Sequence, residues 1–420
     1  MDTITHGIAG ALIGKAMFGG DEMFALRPMN ERRVITWSLM VGAIFPDADT
    51  LRDVFSHNDM LMITWHRSIT HSLLCMPVFA LLLAALTRAI TRRFRWESPS
   101  FAVLTGIYVV GILSHIFLDL VTTFGTMIWS PLNWSRPAWD LIFIIDFTFT
   151  ALLLLPQLLA WVYETKEKWK PRALQIWLVS EFVLLAVAAI AQVIGTPISA
   201  QSIVFGSLLL TIIVFLPARN FWGLRVGIAN WNRAGLLVAC GYIACAGYAH
   251  HAALQRVKSF VAFENVDAQS VGALPLPPSL WHWDGLIETS RGVYDWRMDL
   301  SEKSPIIANA GAAGTASSPA TVPTTGGADE PSLQYRFYPD AFTNSYIARA
   351  RQLPEVQKVL WFARFPVTRF HKEGDEAVVE ISDVRFPQMR ADRPSAFTYR
   401  VRFDAAGKVL AQGWAKEFSR

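Results

Sequence analysis

Charged residues are scarce in this 420-residue chain, at 17% of the sequence. Soluble domains carry about 25%, so the composition argues against a wholly soluble protein. The net charge of +4 is small and dispersed, and no nucleic acid partner is expected. Only three cysteines occur, all in apolar stretches, so no disulfide framework is predicted. Asp2 and His6 stand where a cleavable signal peptide would be basic, so the first apolar run is expected to be retained.

Hydrophobic residues make up 52% of the chain, and eight apolar runs occupy its first 250 positions. A full membrane span needs about 20 such residues. The third to sixth runs reach this length, the seventh and eighth nearly do, and the first two are short. We therefore predict six full spans in an all-α membrane bundle of about eight helices. The runs are 7–18, 34–46, 71–90, 101–121, 139–160, 174–194, 201–217 and 234–250.

The loops between these runs are alternately rich and poor in Lys and Arg. By the positive-inside rule, the basic loops are cytoplasmic, and every loop then fits one orientation. The N-terminus, the other loops and the chain after the eighth run are predicted on the periplasmic side. The basic loops are 27–33, 88–95, 164–172 and 219–233.

The C-terminal part of the chain has the composition of a soluble domain. Its alternating segments include AVVEISDVRF and a hairpin pattern that turns near Asp404 to Gly407. Residues 304–332 are rich in Gly, Ala, Ser, Thr and Pro, which predicts a flexible insertion. We predict a membrane-embedded metal-site domain (1–160), additional transmembrane helices (161–254) and a small β-rich or α+β extracytoplasmic domain (255–420).

Four groups of histidine and aspartate residues lie near the ends of the first four runs. An i, i+4 spacing on a helix puts two side chains on one face, so two of the groups can present an imidazole beside a carboxylate. The predicted orientation brings all four groups to one membrane face. The groups are Asp2 with His6, Asp47 with Asp49, His66 with His71, and His115 with Asp119.

Ligands of this kind, without cysteine, fit a catalytic metal site better than a structural one. Eight residues exceed the four ligands of a single structural zinc, so two or three ions are predicted, with zinc favoured and manganese as the alternative. A bound metal lowers the pKa of its water toward about 7 and stabilises a phosphoryl group, which predicts hydrolysis. Asp49 and Asp119 are the candidate catalytic carboxylates.

Further polar residues are weaker candidates. Asp146 is predicted about two helical turns into the membrane, as a ligand or as the partner of a ligating histidine, and Asp140 precedes it. Arg67 and Arg136 are predicted to meet an anionic head group. For Asp2, the alternative is a carboxylate that favours the helix N-terminus through the macrodipole.

Five motifs in about the first 150 residues resemble, in order and spacing, the YdjM-like family: MDTITHGIAGALIG, GAIFPDAD, HRSITHSL, SHIFLDLVTTFGT and FIIDF. The resemblance implies a metal-dependent hydrolase of the bacterial inner membrane, distantly similar to zinc-dependent phospholipase C and P1-type nucleases. Those enzymes use an HxxxD pair among the ligands of three zinc ions, and His115 with Asp119 matches that pair. Counterparts of other ligands are His6, Asp47, His66 and His71.

The expected activity is cleavage of a phosphoester in a membrane lipid or lipid-linked substrate at the outer leaflet. Two alternatives stay open. A metal transporter would show polar residues through the membrane depth and often inverted repeats, whereas the later runs here are nearly featureless. A metal-stabilised scaffold would bind a partner through its C-terminal domain and would unfold when the metal is removed.

Overall fold

The structure is a computed structural model that divides into two compact units. The first unit comprises Met1–Pro46, Cys75–Leu118 and Phe147–Tyr242, and the second comprises Asp47–Leu74, Asp119–Asp146 and Ile243–Arg420. The predicted insertion at 304–332 lies outside the described residues. Those residues are 1–19, 28–56, 60–194, 198–277, 279–302, 335–386, 395 and 397–418.

Helices dominate the described part of residues 1–263, and each of the eight predicted apolar runs overlaps one of them. The helices are α1 (Thr3–Phe18), α2 (Met29–Ile44), α3 (Thr50–Ser56), α4 (Leu61–Thr64), α5 (Met76–Arg93), α6 (Phe101–Leu120), α7 (Phe147–Val162), α8 (Trp169–Ile194), α9 (Ala200–Phe215), α10 (Gly227–Phe263), α11 (Ser345–Gln352) and α12 (Pro354–Phe362). Short 3₁₀ turns occupy Phe45–Asp49, Ile69–His71, Leu216–Arg225 and Ala415–Phe418.

Among the described residues, four helical segments are long and apolar enough to cross a membrane: α6, most of α8, α9 with the turn after it, and α10. A fifth candidate is broken, because Leu61–His71 and Met76–Arg93 meet at 73°. Helices α1, α2 and α7 have 16 residues each, fewer than the about 20 that a full span needs. The prediction of a helical membrane protein is confirmed with four to five candidate spans.

The fifth predicted run, 139–160, is helical only from Phe147. In its first part the amides of Trp139 and Leu141 donate to the carbonyls of Leu120 and Val121 at 2.8 and 2.9 Å, so these amides bond to the end of α6 and the residue after it rather than within a helix. Asp146 therefore directly precedes α7. It does not lie two turns inside a membrane helix, as the length of the run had suggested.

Glycines allow α2 to pack closely on two other helices. A Cβ added to Gly10 of α1 would lie 2.7 Å from the Cβ of Ala43. One added to Gly111 of α6 would lie 2.9 Å from the carbonyl oxygen of Leu39. Real Cβ atoms essentially never come this close, so the small residues set the separation of α1, α2 and α6, as is usual in membrane helix pairs.

The described strands of the second unit form two antiparallel sheets of four strands, each in sequence order. The prediction of a β-rich C-terminal region with a hairpin is thus confirmed. The hairpin turn contains Gly407 at φ 78°, a conformation that glycine adopts without steric strain. Sheet 1 contains β1 (Ala268–Leu276), β2 (His282–Thr289), β3 (Gly292–Asp299) and β4 (Tyr335–Pro339), and sheet 2 contains β5 (Pro366–Glu373), β6 (Glu376–Asp383), β7 (Thr398–Phe403) and β8 (Val409–Trp414).

Alternation along the strands of sheet 1 supplies two apolar faces. One face packs Trp283 and Trp296 against Val257 and Phe260 in the second half of α10. The opposite face contributes Leu286 and other residues to a smaller core with Phe365 at the start of sheet 2. The sheet is therefore covered on both sides.

The core of sheet 2 draws in residues from far earlier in the sequence. It contains Val379 and Val401 from the strands and Phe362 from α12, together with Ile63 of α4 and Phe124 of the loop after α6. The loops that follow the N-terminal helices are thus part of the same hydrophobic core as the C-terminal domain.

We expect Gly111→Val to destabilise the protein, because the added carbons would press on the backbone of α2; overpacking typically costs about 1–3 kcal/mol. Gly106→Val on the same helix is the matched control, since a Cβ there meets nothing within 4 Å. Thermal unfolding of the two purified variants in detergent measures the difference. Equal melting temperatures would show that the glycine contact does not set the helix separation.

Candidate metal centre

Asp47 and Asp49 lie on the 3₁₀ turn Phe45–Asp49, directly after α2. Both are buried, at 8% exposure each. With three residues per turn, residues two apart point in different directions, so the two carboxylates have different surroundings. Asp49 lies against the His66 to His71 segment, and Asp47 approaches the far side of the His71 ring.

Asp49 fixes the conformation of the segment that carries both histidines. Its Oδ1 lies 2.9 Å from His66 Nδ1, and its Oδ2 accepts from the backbone N–H of Arg67 and the hydroxyl of Thr70, both at 3.0 Å. Arg67 has φ 61°, a left-handed conformation that costs energy outside glycine. Burial raises the pKa of Asp49, but the His66 hydrogen bond and the charge of His71 outweigh this and lower it below its ordinary value.

The ring of His71 lies between carboxylates on its two sides. On one side its Nδ1 is 3.5 Å from Asp49 Oδ2. On the other side its Nε2 is 3.2 Å from Asp119 Oδ2 and 3.7 Å from Asp47 Oδ1. A metal-binding histidine usually has this arrangement: one ring nitrogen pairs with a carboxylate, and the other nitrogen faces the metal and its other ligands.

His115 lies one helical turn before Asp119 on α6, as its spacing predicted. Its Nδ1 is 2.7 Å from the backbone carbonyl of Ala43, so Nδ1 carries the proton and Nε2 carries the lone pair that a metal ligand needs. The ring of His6 stacks on that of His115 with centroids 3.6 Å apart. His6 thus supports His115 by packing.

A group of four residues could hold a metal ion: Asp47, His71, His115 and Asp119 are all buried, and their candidate ligand atoms lie within 4.8 Å of one another. Two ligands bound tetrahedrally at 2.0–2.1 Å from zinc lie roughly 3.3 Å apart, close to the 3.2 and 3.7 Å between His71 and the two carboxylates beside its Nε2. Two imidazoles and two carboxylates also suit zinc or manganese. The donor set and its spacing therefore fit a divalent cation.

The remaining predicted carboxylates have other contacts in the structure. Asp2 caps α1, since its two oxygens accept from the amide and hydroxyl of Thr5 at 2.9 and 2.7 Å. Asp146 accepts a 2.6 Å hydrogen bond from the hydroxyl of Ser279. Asp140 forms two 2.9 Å hydrogen bonds with the guanidinium of Arg364. All three lie outside the four-residue group.

The two arginines predicted to meet a head group bind protein atoms instead. Arg67 is 2% exposed and pairs with Asp119 at 2.9 Å while donating to the Thr122 hydroxyl at 3.0 Å. Arg136 donates to the backbone carbonyls of Ile63 at 2.5 Å and of Gly125 at 3.2 Å. Both side chains hold the site loops together, which the sequence did not indicate.

Arginines and phenylalanines alternate from the metal centre into the C-terminal domain, and we call this series the arginine–phenylalanine stack. Arg67 and Arg136 lie 5.1 and 4.9 Å from the ring centre of Phe124. Arg136 is also 5.2 Å from Phe362, and Arg385 lies 5.0 Å from the same ring. Burial, and then the neighbouring Arg67 and Arg385 charges, lower the pKa of Arg136 to about 9, so it stays charged at neutral pH.

Arg385 connects the C-terminal domain to the loop after Asp119. It pairs with Asp383 at 2.7 Å and donates to the backbone carbonyls of Thr123 and Phe362, each at 2.9 Å. The partners Arg385 and Thr123 are separated by 262 positions. No local sequence pattern could have shown this contact.

These features define a helical membrane protein with a buried His and Asp cluster able to hold a metal ion. Residues 1–199 match the family model described as YdjM inner membrane protein, which confirms the resemblance for this part of the chain. The match ends before α9 and the two sheets. No curated protein and no solved structure matches the chain, so the similarity to phospholipase C stays a prediction.

We expect purified wild-type protein to retain zinc or manganese and His71→Ala to lose it. Loss of even a group that orients a ligand costs about 10–100-fold in affinity, and loss of a ligand costs at least as much. Elemental analysis after equilibration with each metal measures this. His371→Ala is the control, because that histidine is 42% exposed and lies on β5; equal metal content in the two variants would contradict the assignment.

Arg385→Met should be strongly destabilising, because it leaves Asp383 buried without its cation; breaking a buried pair costs about 3–5 kcal/mol. Arg400→Met, which breaks a more exposed pair with Glu380 on sheet 2, should cost about 1 kcal/mol or less. Melting temperature and proteolytic cleavage within 119–146 report the effect. If the two variants melt alike, Arg385 does not hold the site loop.

Proposed function

We propose that this chain is a membrane-bound, metal-dependent hydrolase that cleaves a phosphoester of a lipid or lipid-linked substrate. The observation that carries the proposal is the buried group of Asp47, His71, His115 and Asp119. Buried carboxylates are costly unless positive charge compensates them. Arg67 supplies one such charge, and a divalent cation would supply the rest.

These four residues would hold a divalent cation, which would supply Lewis acidity to a phosphoryl oxygen and make a water molecule more acidic. Imidazole and carboxylate groups from three separate segments would fix its position. Asp49 lies next to Nδ1 of His71, and the Ala43 carbonyl lies next to Nδ1 of His115. These partners would orient the two rings and favour Nε2 as the nitrogen that faces the ion.

We assign His66 as the base that takes the proton of the attacking water. Its Nδ1–H donates to Asp49 Oδ1, which makes Nε2 the basic nitrogen. Its side chain is 10% exposed, whereas that of His71 is fully buried, so His66 is the histidine that solvent can reach. A carboxylate that orients a histidine in this way recurs in general-base catalysis.

The proposed substrate follows from the surroundings of the site. The matched family is one of inner membrane proteins, and the candidate ligands lie where candidate membrane helices meet their loops. The basic loops at 88–95 and 164–172 favour a cytoplasmic location for the opposite helix ends. The site would then face the outer leaflet, where a lipid phosphoester is within reach.

The test is hydrolysis by the purified full chain, loaded with zinc or manganese, of phosphatidate, a long-chain lipid diphosphate, phosphatidylglycerol and bis(p-nitrophenyl) phosphate. We expect His66→Gln to lower the rate by about 10²–10⁴-fold while the metal content is unchanged. His371→Gln is the exposed control and should keep full activity.

A folded, metal-loaded wild type that cleaves none of these compounds would overturn the proposal. Unfolding on chelation, without any activity, would then favour the metal-stabilised scaffold. Metal uptake into vesicles containing the protein would instead favour the transporter.

A further inference from the structure

A groove of about 760 Å³ lies between α1, α2 and α7 in the first unit. Its volume falls within the range of about 300–1,000 Å³ typical of ligand sites. Apolar side chains such as Ile8 and Leu154 line most of it, and one end is basic. That end is lined by Lys15 of the last turn of α1 and by Arg32 and Arg33 of the first turns of α2.

The basic end of the groove has no compensating acid among its described lining residues. The Lys15 ammonium donates to the neutral amide oxygen of Gln157 at 3.1 Å. The Nε of Arg32 is buried and finds no hydrogen-bond partner in the described part of the chain. Cations near a helix N-terminus are disfavoured by the macrodipole, which favours an anion there instead. Among the described residues, the basic end of the groove therefore offers a place for an anion.

The length of the groove fits one lipid chain. From Ile4 to Lys15, both groove residues on α1, the helix rises about 16 Å at 1.5 Å per residue. The hydrocarbon core of a bilayer is about 30 Å thick, so this length is about one leaflet. An occupant with an anionic head at Lys15 and an apolar tail toward Ile4 has the shape of a phospholipid.

We propose that the groove binds an anionic phospholipid, with its phosphate at Lys15, Arg32 and Arg33 and an acyl chain between α1, α2 and α7. This site is separate from the proposed hydrolysis, because its phosphate lies at the end of α1 opposite to His6. The bound lipid stabilises three helices of 16 residues each, which are too short to span a bilayer individually.

The experiment is mass spectrometry of the intact full chain in detergent after incubation with phosphatidylglycerol or phosphatidylcholine. We expect wild type to retain phosphatidylglycerol in preference. Arg32→Gln/Arg33→Gln should lower the affinity for this lipid, and with it the occupancy, by about 30-fold, because each cation near an anionic lipid contributes about 1 kcal/mol. Arg92→Gln/Arg93→Gln, an exposed pair in the last turn of α5, should retain the lipid like wild type.

Equal retention of the two lipids by wild type would overturn the proposal, as would unchanged phosphatidylglycerol occupancy in Arg32→Gln/Arg33→Gln. Thr36→Phe, which fills the groove and keeps the cations, should lower retention of both lipids, and normal retention would refute the placement of the acyl chain. None of these measurements uses hydrolysis, so their outcome is independent of the proposed activity.

Discussion

The buried ion pair between Arg67 and Asp119 is the interaction that the site depends on. Their closest atoms are 2.9 Å apart, and the two side chains are 2% and 0% exposed. Such a pair is stable only if its geometry is good and its remaining polar atoms have partners. Asp49 holds the strained Arg67 backbone, and Thr122 accepts a second guanidinium hydrogen bond. The loop after α6 is thereby fixed to the segment that carries His66 and His71.

The arginine–phenylalanine stack extends this constraint into the C-terminal domain. Phe124 contacts Arg67 and Arg136, and it belongs to the same hydrophobic core as Phe362 and the strands of sheet 2. Arg385 then bonds the backbone of Thr123. The loop that follows Asp119 thus has some of its packing partners in residues beyond the part matched by the family model. The C-terminal domain therefore packs against the loop that directly follows the candidate ligand Asp119.

Much of this arrangement could be predicted from local patterns, and the rest could not. Apolar runs located the helices, and the i, i+4 spacing placed His115 and Asp119 together, because both signals depend on the geometry of one helix. A place for Asp2 at a helix N-terminus, favoured by the macrodipole, was among the alternatives for the same reason. The pairing of Asp140 with Arg364 spans 224 positions, and long-range contacts of this kind leave no periodic signal in one sequence.

The geometry also bears on how many ions the site can use. The four-residue group supplies enough ligands for one ion, and ions in two-metal sites lie about 3.5–4 Å apart. Asp49 and His66 are two of the predicted polar residues that a second ion could use. Those two side chains now form a 2.9 Å hydrogen bond with each other, and an ion bound between them would replace it. A one-ion enzyme with His66 as its base and a multi-ion enzyme with His66 as a ligand are therefore exclusive uses of the same residues.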